Sequence, residues 1–104
     1  RVAALALRTI AIHQVTLARD AYQDGDGRMA GRYIAEAANA IRDGFHRGSV
    51  HEGTAIAGEL ERARELASRM ETDGSGSHEE TLKTLDDLES AAEGLGQVLT
   101  QGRR

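Results

Sequence analysis

Residues 28–70 read RMAGRYIAEAANAIRDGFHRGSVHEGTAIAGELERARELASRM, and this stretch decides the fold. Apolar residues recur at helical spacing up to Phe45 and again after Ser49, which predicts two helices joined by a short turn. Gly48 suits the left-handed position just past a helix end, and Ser49 with Glu52 forms a capping box that starts the next helix. Because so few residues separate the two helices, we expect them to pack antiparallel.

The composition describes a small acidic domain with a thin core. The chain has 104 residues and a formal net charge of -4, so we expect one domain, for which a nucleic acid is a poor default partner. Aromatic residues make up only 3%, and alanine supplies much of the 39% hydrophobic content. Since an alanine side chain buries little area, the core of an isolated copy should be thin.

Several classes of site and location are disfavoured by what the sequence lacks. There is no cysteine, which excludes disulfides, thiolate metal sites and a cysteine nucleophile. No apolar run approaches the roughly 20 residues of a membrane span, and no secretory signal is visible. We therefore expect a cytoplasmic protein that does not associate with membranes.

Glycine-rich segments divide the chain into four predicted helices, and we expect an all-α, up-down-up-down four-helix bundle formed by a single domain, 1–104. Residues 73–77 form a flexible internal linker. The apolar pattern begins directly after Arg1 without a capping residue, which suggests a domain excised from a longer chain. The predicted helices span residues near 2–23, 27–45, 50–72 and 78–101.

The DGDG segment, 24–27, is interpreted as a turn, with Asp26 as the N-cap of helix two. An Asp-x-Asp pattern also opens calcium-binding loops. An EF-hand loop beginning at the first aspartate would place Arg28 at position 5 and Met29 at position 6, where an oxygen ligand and a glycine are required. The segment therefore predicts a turn and a cap, with no metal.

Helix one has an apolar face wider than a single seam, so it either lies centrally in the bundle or presents a second face to a partner. Its main stripe consists of Ala3, Leu7, Ile10, Leu17 and Ala21. Beside this stripe lie Leu5, Ile12 and Val15.

The other three helices each carry one regular seam, which predicts one buried face apiece. The seam of helix two is Ala30, Tyr33 or Ile34, Ala37, Ile41 and Phe45. The seam of helix three is Ile56, Leu60, Ala63, Ala67 and Met70. Ser77 and Glu80 form a second capping box before helix four. Helix four has a two-position heptad seam of Leu85, Leu88, Ala92, Leu95 and Leu99.

No motif predicts catalysis or metal binding, so we expect no enzymatic activity and no cofactor. A helical zinc site needs histidines at i and i+4, but His46 and His51 are five residues apart across the turn. The remaining histidines, His13 and His78, are isolated in the sequence. The adjacent carboxylates Asp86 and Asp87 point apart on a helix and cannot form an acid–base pair.

In size, acidity and helical outline the chain resembles histidine phosphotransfer domains, whose signature is His-x-x-Lys-Gly. No histidine here has that context, so no phosphate-accepting residue is carried over. Residues 43–48 and 60–64 faintly resemble a helical hairpin of translin-type RNA-binding proteins, which would imply a nucleic-acid-binding helical domain. The basic surface that RNA binding needs is weak in this sequence.

These observations favour a non-enzymatic protein–protein interaction or oligomerisation module. The alternatives are a phosphotransfer-like signalling bundle and a nucleic-acid-binding helical domain. We expect helix four to close the bundle and the wide face of helix one to meet a protein partner or a second copy. If replacing Leu88 and Leu95 with Asp kept the helicity but converted an oligomer to a monomer, helix four would be the interaction surface instead. The candidate interaction residues are Leu5, Ile12, Val15, Leu85, Leu88, Leu95 and Leu99.

Overall fold

The computed structural model describes the backbone of residues 2–48, 53–73 and 76–101, and the side chains of 4–48, 53–72 and 76–99. Four helices occupy this part of the chain, which contains no strand, so the predicted all-α class is confirmed. Their bounds are α1 Val2–Gln23, α2 Gly27–Arg47, α3 Gly53–Asp73 and α4 His78–Gln101. Predicted and observed limits agree for α1 and α4, whereas α2 ends two residues later and α3 ends one residue later than expected. The predicted start of α3, at residue 50, lies outside the described residues.

The helices form a compact bundle in which α2 and α4 lie closest to its centre. Helix α1 packs against α2 and α4, α3 packs against the same two, and α2 also contacts α4. Within the described part of the chain, α1 and α3 make no close contact. Arg19, late in α1, bonds to Glu89 in the first half of α4, while Gly31, early in α2, lies against Met70, late in α3. Both contacts are those of antiparallel neighbours.

Helix α1 turns a narrow face of small residues toward the core. Ala4, Ala11, Val15 and Ala18 are buried there, and the interface of α1 with α2 is the most extensive in the bundle. The predicted main stripe of α1 is therefore wrong in its centre, because Ile10 is 46% exposed. Small side chains let two helix backbones approach closely. Alanines of α1 therefore face the core, where the predicted stripe would have placed larger residues such as Ile10.

Helices α2, α3 and α4 bury the seams that the sequence predicts, with Ile34 rather than Tyr33 at the centre of α2. Tyr33 and Ile56 are half-buried and pack against the edge of the core. The buried seam residues are Ala30, Ile34, Ala37, Ile41, Phe45, Leu60, Ala63, Ala67, Met70, Leu85, Leu88, Ala92, Leu95 and Leu99. Helix α4 thus closes the bundle with its leucines.

Two of the predicted N-caps are confirmed. The Asp26 Oδ1 atom accepts a hydrogen bond of 3.0 Å from the Met29 amide, and the Ser77 hydroxyl accepts one of 3.0 Å from the Glu80 amide. The carboxylate of Glu80 accepts a hydrogen bond of 2.8 Å from Arg69 on α3, so this side chain ties the start of α4 to the end of α3.

The turn after α2 differs from the prediction at Gly48. This residue has φ -79° and ψ -3°, which is right-handed helical geometry, so the expected left-handed conformation is wrong. Its lack of a side chain serves packing instead, because a Cβ there would lie 2.6 Å from Cδ2 of Leu99. The predicted capping box of Ser49 and Glu52 lies outside the described residues, as does part of the predicted linker 73–77.

Candidate interaction face

Helix α1 has an exposed side that carries no charged residue over more than three turns. We call this surface the outer face of α1 and define it by Leu5, Ala6, Thr9, Ile10, Ile12, His13, Thr16 and Leu17, all of which are half-buried or exposed. On the other three helices, most exposed positions are occupied by arginine, lysine, aspartate or glutamate. An extended uncharged face on one helix is therefore a local departure from the rest of the surface.

One charged residue lies within this stretch, and it points away from the outer face. The side chain of Arg8 lies over Gly96 on α4, so closely that a Cβ at Gly96 would overlap the guanidinium group. The Arg8 Nε atom is buried there, with no hydrogen-bond partner within the described residues. The contact between α1 and α4 thus partly buries the guanidinium group of Arg8, which is the only arginine or lysine between Leu5 and Ala18.

The two threonines of the outer face have hydroxyl groups that are already hydrogen-bonded. Thr9 Oγ1 donates to the carbonyl oxygen of Leu5 at 3.2 Å, and Thr16 Oγ1 donates to that of Ile12 at 3.2 Å. Because each hydroxyl is engaged with its own helix, covering these residues would not leave an unsatisfied donor. Each threonine can therefore contribute its methyl group to a contact.

The residues of the outer face repeat with heptad spacing. They form two adjacent lines, each stepping by four, three and four residues along α1. Such spacing keeps a line of side chains on one side of a helix that packs against another helix. The lines are Leu5, Thr9, Ile12 and Thr16, and Ala6, Ile10, His13 and Leu17.

The outer face is bordered by two helices of opposite net charge. On one side lies α4, which contains six acidic residues and one lysine. On the other side lies α2, which contains four arginines and two acidic residues. Arg19 of α1 bonds to Asp86 at 2.8 Å and to Glu89 at 3.0 Å. The hydrogen bond to Asp86 raises the pKa of the Arg19 guanidinium, which is cationic at neutral pH in any case.

The predicted interaction residues fall into two groups. Leu5 and Ile12 lie on the outer face and are half-buried. The other five are buried within the single chain, so the structure places them in its core rather than on its surface. These are Val15, Leu85, Leu88, Leu95 and Leu99.

Sequence reasoning assigned Ile10 and Leu17 to the core and gave no role to Thr9 and Thr16. A signal was present, because residues 5–18 contain one charged residue, whereas every stretch of the same length in α3 and α4 contains at least two. Ranking positions by hydropathy concealed this, since threonine counts as polar whether or not its hydroxyl is engaged. Two further large apolar residues, Leu82 and Val98, are exposed near opposite ends of α4.

The described histidines do not converge. His13 is exposed on the outer face, and His46 is exposed in the last turn of α2. His78 Nδ1 lies 2.9 Å from the hydroxyl of Tyr22, so this pair joins the end of α1 to the start of α4. His51 lies outside the described residues. Among the residues that the structure describes, no three side chains of suitable type cluster as a metal site.

In the part of the chain that the structure describes, no helix is both long enough and apolar enough to cross a membrane. Comparisons with protein-family models, with curated proteins and with solved structures found no match to this chain. The geometry of the outer face of α1 is consequently the main guide to function.

Proposed function

We propose that this protein is a non-enzymatic interaction module that binds a protein partner through the outer face of α1. The observation that carries the proposal is the uncharged exposed surface from Leu5 to Leu17 on a bundle whose other helices carry charged residues at most of their exposed positions. A cytoplasmic location is part of the proposal, because a chain without cysteine loses nothing in a reducing compartment.

The energetics of the outer face favour burial. Ile10 is 46% exposed, and its apolar area contributes roughly 25 cal/mol for each Å² that a partner removes from water. No charge on the face has to be desolvated, and the hydroxyls of Thr9 and Thr16 keep their intrahelical bonds when covered. A helix from a partner could therefore pack here without desolvating a charged side chain, provided that it hydrogen-bonds the imidazole of His13 or leaves it in water.

Site-specific photo-cross-linking tests the proposal in cells that produce the protein. A photoreactive amino acid replaces Ile10 in one variant and Glu61, an exposed residue of α3, in a control. We expect a discrete cross-linked protein from position 10 and none from position 61. Equal cross-linking from both positions, or none from either, would contradict an interaction role for the outer face.

A second pair of variants separates binding from folding. Thr16→Glu introduces a charge into the outer face, and Thr72→Glu makes the same change on α3. The control is matched because the Thr72 hydroxyl also donates to the carbonyl oxygen four residues earlier, at 2.8 Å. Both positions are exposed, so circular dichroism should show helicity close to that of the parent chain. Cross-linking from position 10 should disappear in Thr16→Glu alone, and its persistence there would count against the proposal.

A further inference from the structure

We draw no further inference here: the strongest candidate, the choice of a particular partner for the outer face of α1, rests on an unpartnered and partly apolar helix face, and nothing in the structure shows what covers it.

Discussion

The close approach of α2 and α3 at Gly31 leads to a sharp prediction about stability. Alanine is about 1 kcal/mol more favourable than glycine inside a helix, so a glycine-to-alanine change in an uncrowded helix should stabilise the protein. Gly94 of α4 offers the matched control, because a Cβ built there meets no atom within 4 Å. Gly94→Ala should therefore raise the melting temperature by about 4–8 °C.

Gly31→Ala should have the opposite effect. Its new methyl group would lie 2.7 Å from Cβ of Met70 and 2.9 Å from the carbonyl oxygen of Ala67. Neither atom can move without shifting the backbone of α3, and overpacking of this kind costs about 1–3 kcal/mol. At the upper end, a cost of about 3 kcal/mol less a gain of about 1 kcal/mol leaves a net loss of about 2 kcal/mol. The melting temperature should then fall by about 8–16 °C.

Thermal unfolding followed by far-ultraviolet circular dichroism measures both variants beside the parent chain. The two changes are chemically identical, so the difference between them isolates the packing at Gly31 from helix propensity. If Gly31→Ala stabilised the chain as much as Gly94→Ala does, α2 and α3 could not approach as closely as described, and the reasoning would be refuted.

Three further changes test the cap, the core and the surface. Asp26→Ala removes the cap of α2 and should cost about 1 kcal/mol by denaturant unfolding, whereas no change would mean that the cap contributes nothing to stability. Leu88→Ala opens the core and should cost about 2–5 kcal/mol in the same assay, and a loss below about 1 kcal/mol would indicate that α4 is not packed as described. Arg19→Gln removes the contacts to Asp86 and Glu89 at the partly exposed surface, so it should cost less than about 1 kcal/mol. That cost should shrink further in high salt, and a cost independent of salt would contradict an electrostatic origin.

The fold was predictable from the sequence because its signals are local. Glycine-rich segments separate the helices, and Asp26 and Ser77 start two of them with side-chain oxygens that the sequence displays directly. The leucine seam of α4 repeats at heptad spacing, and both Leu85 and Leu95 are fully buried. None of these inferences requires knowledge of which helix lies beside which.

The orientation of α1 was not predictable in the same way, because it depends on how closely α2 approaches. Two apolar faces compete on this helix, and hydropathy ranks the face with Ile10 above the face with Ala11 and Ala18. The structure selects the alanine face, since small side chains allow a closer contact between backbones than isoleucine does. The outer face of α1, which we propose binds a partner, could be predicted only in part for the same reason: which residues of α1 are exposed depends on which side of the helix faces the core.

The extensive contact between α1 and α2 has a consequence for the order of folding. These helices are neighbours along the chain, so forming their interface requires the closure of only a short loop and can occur early. Helical proteins rich in such local contacts typically fold in microseconds to milliseconds. Helix α4 contacts all three other helices and can complete its interface only after they have assembled. Changes at Leu88 should therefore mainly accelerate unfolding, whereas changes at Ala11 should mainly slow folding. In native-state hydrogen exchange, amides buried between α1 and α2 should be the last to open.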